Sequence, residues 1–227
     1  MLKRSSGTDF HISRRFFLKS ISACSFILIS GCQKRPELVP KISRTYEPSL
    51  SIPPKVTVNT PVINNYQNVP YGWIPPSSVE KGWSAIIVHH SGTDFGNAAI
   101  FDREHKNLGW DGVGYDFVIG NGTNSGDGEV EVTFRWKQQI TGAHCRAEPD
   151  NWANKDGIGI CLVGNFNNYL PTQKQMESLV KLTNFLKRRY GISPSLITGH
   201  GQTRGAHVTD CPGTRFSVAN FKRLLAY

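Results

Sequence analysis

The sequence has few cysteines, no apolar run long enough to cross a membrane and little net charge outside its N-terminal part. The apolar stretch from Ile21 to Ile29 is too short to span a bilayer as a helix of the mature protein. The formal charge is +9, of which residues 1–31 contribute +4 (five basic side chains and one acid), so +5 remains for the rest. Four of the remaining basic residues lie at positions 34, 35, 41 and 44, and the chain beyond them is close to neutral. The charge therefore gives no indication of a nucleic-acid partner.

The N-terminal 31 residues show the features of a bacterial export signal in the expected order. Arg14-Arg15 and the residues around it resemble the twin-arginine signal, and the apolar stretch follows them. That stretch ends at Ile29-Ser30-Gly31-Cys32, which resembles a lipobox, the site where bacterial lipoproteins are cleaved and acylated on the cysteine. An ordinary signal anchor with a chance cysteine is the alternative. We expect residues 1–31 to be a twin-arginine lipoprotein signal peptide and Cys32 to carry lipid.

Lipid on Cys32 would place the protein in the bacterial cell envelope, facing the periplasm. Gln33, directly after this cysteine, resembles the sorting signal for the outer rather than the inner membrane. Lys34 and Arg35 would then lie near anionic headgroups. We expect contact with the membrane through the lipid, and a monomeric protein.

The five cysteines do not indicate a disulfide framework. Cys24 would leave with the signal peptide and Cys32 would carry lipid. An odd number, Cys145, Cys161 and Cys211, remains for an oxidising compartment. If one of them binds a metal, the other two are either paired or free.

Residues 32–80 are predicted to form a proline-rich tether with a lipidated N-terminus. Residues 33–80 hold nine of the 13 prolines and show no sustained periodicity. The folded part is then residues 81–227, which is enough for a single hydrophobic core.

Strand and helix patterns alternate along residues 81–227. We predict strands at Ser84–His90, Tyr115–Ile119, Val130–Phe134, Gly157–Val163 and Ser195–Thr198. Helices are predicted at Asn97–Asn107, from a capping box at Thr172 and Gln175 through Arg189, and over the apolar positions from Val218 to Leu225. This alternation predicts a single α/β domain with a central mixed β-sheet flanked by helices on both faces.

Histidines at the ends of two predicted strands, together with a late cysteine, indicate a metal centre. The first strand ends at His89-His90, and only one of these can face a given side because successive side chains of a strand alternate. His200 follows the last strand directly, while His207 precedes Cys211 by four residues. From the residues alone, either histidine of each pair remains a candidate. Three protein ligands would leave a tetrahedral zinc ion one open position, as in a catalytic site.

Several segments of this region resemble, in family order, the type-2 N-acetylmuramoyl-L-alanine amidases, which include phage amidase-type lysozymes and the peptidoglycan recognition proteins. The matching segments are Ile86–Ser91, Gly109–Phe117, Gly142–His144, Gly157–Phe166, Gly199-His200 and Cys211–Gly213. They are spread over residues 84–214, and the ordered set is specific although no single segment is.

The resemblance implies a Zn²⁺ ion held by His89, His200 and Cys211. It implies that Tyr115 lies beside the metal and that Thr209 faces the oxyanion that develops during hydrolysis. These two are therefore our candidate catalytic residues, while His144 matches a histidine that lines the substrate cleft.

The sequence departs from the family pattern in two places. The interval from His200 to Cys211 is longer than in the phage enzymes, so His207 lies on additional loop. Cys161 aligns where the cytosolic recycling amidases carry a glutamate that is a candidate general base, and this leaves the general base open. The segment Phe134-Arg135-Trp136 aligns near the region that reads the stem peptide in recognition proteins, but with different spacing.

The function implied is zinc-dependent hydrolysis of the amide bond between N-acetylmuramic acid and L-alanine, with peptidoglycan or muropeptides as the partner. Some recognition proteins of the family bind peptidoglycan without a metal and typically carry serine in place of the cysteine, so a non-catalytic binding module is one alternative. A periplasmic amidase that recycles anhydro-muropeptides is another, and a structural lipoprotein that tethers the wall is a third. Cys211 argues against the first.

Overall fold

The structure is a computed structural model that describes residues 68–226. The predicted signal peptide, Cys32 and most of the predicted tether lie outside the described residues. Within the described part, no helix has both the length and the apolar character needed to cross a bilayer.

A five-stranded mixed sheet forms the centre of the domain. Its strands are Ala85–His90 (β1), Phe117–Ile119 (β2), Val130–Val132 (β3), Gly157–Leu162 (β4) and Ile197–Gly199 (β5). The order across the sheet is β3-β2-β4-β1-β5, with β3 antiparallel to β2 and the other neighbours parallel. The predicted central mixed sheet is confirmed.

Helices cover both faces of this sheet, as predicted. They are Ala98–Asn107 (α1), Phe134–Gln138 (α2), Trp152–Asp156 (α3), Gln173–Tyr190 (α4) and Val218–Arg223 (α5). Single 3₁₀ turns lie at Tyr71–Trp73, Pro194–Leu196 and His200–Gln202. The main core joins α4 and α5 to one face of the sheet, while α1 and α3 contribute to two smaller clusters on the other face.

The long helix α4 follows from local sequence. Thr172 and Gln175 form the predicted capping box, which satisfies two N-terminal backbone donors. Leu179, Leu182, Phe185 and Leu186 are buried at helical spacing, so one side of α4 packs on the sheet. Gly191 ends the helix in the left-handed region, where glycine has no steric penalty.

The alternation of side chains in β1 and β4 decides what lies on each face. Ile86 and Val88 point to the α4 core, whereas Ile87 and, two residues on, His89 point to the opposite face. Strand β4 offers that opposite face mainly small groups, including Gly159 and Cys161. Because small side chains fill little space, the His144 ring can approach β4 closely beside Gly159.

Three of the predicted strand boundaries were wrong. The strand predicted to run through Phe134 ends at Val132, since α2 begins at Phe134. The strand predicted from Tyr115 begins at Phe117, and the one predicted from Ser195 begins at Ile197 because Pro194–Leu196 forms a 3₁₀ turn. Both α2 and α3 were missed, because five residues are too few to show a helical period.

The folded part also begins earlier than residue 81. Trp73 is 4% exposed and packs on Phe185 of α4, with 6.0 Å between the ring centroids. Glu80 accepts hydrogen bonds from Arg189 Nε (2.6 Å) and Nη2 (2.7 Å) and from the Tyr190 hydroxyl (2.9 Å). The last residues of the predicted tether are therefore attached to the C-terminal part of α4.

Candidate metal centre

Three potential metal ligands converge at one edge of the sheet. His89 lies near the end of β1, His200 follows β5 directly, and Cys211 lies in the loop before α5. Because β1 and β5 are parallel neighbours, their carboxyl ends bring both histidines to the same edge. The donor atoms of the three residues all lie within 4.8 Å of one another.

The separation of these donors fits zinc. A tetrahedral ion with Zn–N bonds of 2.0–2.1 Å and a Zn–S bond of 2.3 Å places its nitrogen and sulfur ligands roughly 3.5 Å apart. His89 Nδ1 and Cys211 Sγ are 3.6 Å apart. Two imidazoles and a thiolate are a donor set that zinc accepts, and three protein ligands leave one position open to water or substrate.

In each candidate pair, one histidine belongs to the ligand group and the other does not. The His90 ring turns to the other side of the strand, where its Nδ1 accepts from the Phe166 backbone N–H at 3.1 Å. His207 is exposed on the long loop, outside the group formed by His89, His200 and Cys211. It lies close enough to His200 to lower the pKa of that imidazole further.

Burial holds all three ligands in their uncharged forms in the absence of a cation. Burial, followed by the neighbouring His144 and His200, lowers the pKa of His89 well below its usual value. Burial also lowers the pKa of His200 and raises the pKa of Cys211 to about 12, against the opposing effect of the His90 backbone N–H. Both imidazoles therefore keep a free lone pair at neutral pH, while the thiol must release a proton when a metal binds.

His144, which was predicted to line the substrate cleft, lies directly behind His89. It is 8% exposed, and its Nδ1 lies 3.1 Å from His89 Nε2 while its Nε2 lies 3.2 Å from the Gly157 carbonyl oxygen. Burial lowers the pKa of His144 to about 3, so the ring is neutral. Both ring nitrogens are engaged within the protein, behind His89, and the substrate-binding role expected for His144 stays a prediction.

Tyr115 lies beside the ligand group, just before β2. Its ring centroid is 5.3 Å from that of His89, and its side chain lies beside Cys161 of β4. Burial and the neighbouring Cys161 and Cys211 raise the pKa of Tyr115 well above its usual value. The phenol therefore stays protonated and can act as a hydrogen-bond donor.

Thr209 is half-buried in the loop that carries Cys211. Its hydroxyl oxygen accepts from the Cys211 backbone N–H at 3.2 Å. A hydroxyl that accepts in this way still has its own proton to donate. The same loop is tied to the turn after β5, since the Gly201 backbone N–H donates to the Cys211 carbonyl at 2.8 Å.

The sequence analysis missed His105 in α1. Its Nδ1 accepts from the Gly114 backbone N–H at 2.9 Å, and its ring lies between Trp110 (centroids 4.7 Å apart) and Tyr115 (5.8 Å). Trp110 is 44% exposed, so an aromatic row runs from the surface to the ligand group. The signal was present in the sequence, because His105 lies four residues after the inward-facing Phe101 and therefore on the same side of α1.

Arg135 and Trp136, which the sequence placed near the region reading the stem peptide, are internal. Arg135 donates from Nε to the Val113 carbonyl and from Nη1 to the Thr141 carbonyl, both at 2.6 Å. Trp136 is fully buried and donates to the Trp73 carbonyl. These contacts fix loops of the fold, and Arg135 also lines a surface cavity together with Trp110 and Gly142.

The pairing of Cys145 and Cys161, which the sequence left open, is resolved. Both are free, buried thiols in the structure. Burial raises the pKa of Cys145 to about 11 and that of Cys161 well above its usual value, so neither is a thiolate at neutral pH.

Comparisons with known proteins show which family this domain resembles. The family model for N-acetylmuramoyl-L-alanine amidase matches residues 80–214. Peptidoglycan-recognition protein SC2 of Drosophila melanogaster is 35% identical over 148 residues, which cover 61% of this chain and 72% of that protein. The N-acetylmuramoyl-L-alanine amidase of Sus scrofa is 30% identical over 151 residues, 61% of this chain but 23% of that protein. The solved N-acetylmuramoyl-L-alanine amidase LysC from Clostridium intestinale URNW is similar with 30% identity and a TM-score of 0.52, covering 63% of this chain and 84% of that one.

Proposed function

The chain belongs to the N-acetylmuramoyl-L-alanine amidase family, and from this premise we propose that it hydrolyses the amide bond between N-acetylmuramic acid and L-alanine in peptidoglycan, using a zinc ion held by His89, His200 and Cys211. The convergence of these three donor atoms within 4.8 Å carries the proposal. When bound there, zinc supplies a Lewis acid that polarises a carbonyl group and lowers the pKa of water to about 7.

The hydroxyl groups beside the ligands would stabilise the charge that develops on the carbonyl oxygen. Tyr115 lies next to His89, and Thr209 lies two residues before Cys211 and bonds its backbone. Each has a proton to donate at neutral pH. One well-placed donor of this kind contributes about 2.7–4 kcal/mol to the transition state.

Cys161 does not supply the general base that some amidases of the family have at this position. Its buried thiol has a pKa raised well above the usual value, so it holds its proton at neutral pH. It instead lies beside the Tyr115 side chain and contributes to the raised pKa of that phenol.

The proposal is tested by digesting purified peptidoglycan and, separately, defined soluble muropeptides with the full-length protein. Release of peptides with a free N-terminal L-alanine is expected, with loss of activity on a strong chelator and recovery on added Zn²⁺. Hydrolysis of soluble fragments alone would favour the recycling amidase. Stable binding of peptidoglycan without release of peptide, in protein containing stoichiometric zinc, would contradict the enzymatic function and favour a binding module.

We also propose that the protein is a lipoprotein of the bacterial envelope, although Cys32 lies outside the described residues. The order of twin arginines, apolar stretch and lipobox supports this. Cells fed an alkyne-labelled fatty acid should incorporate the label into the wild-type protein and not into Cys32→Ala. Equal labelling of the Cys32→Ala variant, or membrane association that is unaffected by it, would contradict lipidation at this residue.

A further inference from the structure

We propose that His144 is a positioning residue that selects the tautomer of His89 competent to bind the metal, with the proton on Nε2 and the lone pair on Nδ1. The inference rests on the proposed ligation of zinc by His89. It concerns a residue whose ring lies behind the proposed ligand His89.

The proton positions on both imidazoles follow from the Gly157 carbonyl group, whose role in a hydrogen bond is fixed. The Gly157 carbonyl oxygen can only accept, so His144 Nε2, at 3.2 Å, carries a hydrogen. A neutral imidazole has one N–H, which leaves His144 Nδ1 as an acceptor. The contact of 3.1 Å with His89 Nε2 is then a hydrogen bond that His89 donates. His89 Nδ1 is left without a proton, and it is the atom that lies 3.6 Å from Cys211 Sγ.

The His144 ring is held between Gly142 and Gly159 in a space that prevents its rotation. A Cβ atom on Gly142 would lie 2.5 Å from His144 Cδ2, and one on Gly159 would lie 2.4 Å from the same atom, so the absence of side chains at both positions makes room for the ring. The His144 backbone N–H donates to Asn154 Oδ1 at 2.7 Å. Asp116 Oδ2 in turn accepts from the Gly159 backbone N–H at 2.8 Å, which fixes the position of Gly159 beside the His144 ring.

A hydrogen-bond acceptor held in place behind a metal-binding histidine is known to affect metal binding. Histidine ligands of metals usually donate their second N–H to an oxygen acceptor, and loss of that acceptor weakens metal binding about 10–100-fold. Here an imidazole takes the place of the oxygen and relays the hydrogen bond to the Gly157 carbonyl. If His144 only filled space, a side chain of similar shape without nitrogen atoms would serve equally well.

Two variants separate hydrogen bonding from packing. His144→Asn places an amide oxygen at the position of Nδ1 and retains the acceptor, whereas His144→Phe keeps a ring but removes both nitrogens. Zn²⁺ affinity is measured by chelator competition on the full-length protein. We expect His144→Phe to bind zinc about 10–100-fold more weakly than wild type and His144→Asn to stay within about threefold. Thr183→Val, a buried substitution in α4 on the other face of the sheet, is the control and should not change zinc affinity.

The tautomer of His89 is measured by ¹⁵N NMR of the histidine rings in metal-free wild-type protein. This measurement does not depend on the folding of any variant. His89 protonated on Nε2 is the expected result. Protonation on Nδ1, zinc binding by His144→Phe as tight as by wild type, or binding by His144→Asn as weak as by folded His144→Phe would each overturn the proposal. If wild type binds no zinc, the proposed function fails, and the tautomer measurement still decides the role of His144.

Discussion

Replacing Cys211 with serine is expected to abolish zinc binding and amide hydrolysis together. The thiolate is one of three protein ligands, and a serine hydroxyl at neutral pH offers zinc neither negative charge nor a soft donor atom. Without the ion, water retains a pKa of about 15.7 instead of about 7, so we expect hydrolysis to fall more than about 1000-fold. Zinc content by atomic emission and peptide release from purified peptidoglycan measure the two effects.

Cys145→Ser provides the matched control for this experiment. Cys145 is also a buried, free thiol, but it does not belong to the ligand group. The control should retain zinc and activity even if its stability is reduced. Full hydrolysis by folded Cys211→Ser would reject this metal centre as the site of the reaction.

Replacing Tyr115 with phenylalanine is expected to lower kcat about 100- to 1000-fold while leaving zinc affinity and KM nearly unchanged. The change removes one neutral donor beside the ligands, and a donor to the developing oxyanion contributes about 2.7–4 kcal/mol that is absent from the ground state. The Cys161 thiol beside it is only a weak hydrogen-bond acceptor, so the phenol can donate to a substrate oxygen at little cost. Steady-state kinetics on a defined muramyl peptide and zinc stoichiometry are the measurements.

Tyr169→Phe removes a comparable hydroxyl outside the ligand group. The Tyr169 hydroxyl donates to Asp94 Oδ1 at 2.8 Å and accepts from the Asn165 backbone N–H. This variant should keep wild-type kcat. If Tyr115→Phe retained wild-type kcat with bound zinc, or if it lost zinc, Tyr115 would not be a donor to the transition state.

Patterns that repeat over many residues were predicted well from the sequence. Strands β1 and β4 and helix α4 each bury apolar side chains at regular intervals, and the capping residues Thr172 and Gln175 mark where α4 begins. The two histidine ligands were candidates because they lie where strands end. The choice of His89 over His90 came from family resemblance, since alternation alone allows either one.

Features that depend on distant parts of the chain were not predictable in this way. The depth of His144 depends on Gly159 of β4 as well as on the nearby Gly142, and the local sequence does not show that the ring fits between them. The internal role of Arg135 depends likewise on the Val113 and Thr141 carbonyls. In both cases the partners of the polar side chain come from other elements, so the local sequence does not show where that side chain lies.

The attachment of Trp73 and Glu80 to α4 bears on how the domain would respond to mechanical force. A pull on the chain before Val69 would load the ring contact with Phe185 and the paired charges of Glu80 and Arg189. Helix α4 packs on the face of the sheet opposite to the His89 side chain, so this load would not pass through the ligand group. If the chain is anchored through its N-terminal segment, as proposed, tension on that segment would therefore leave the arrangement of His89, His200 and Cys211 undistorted.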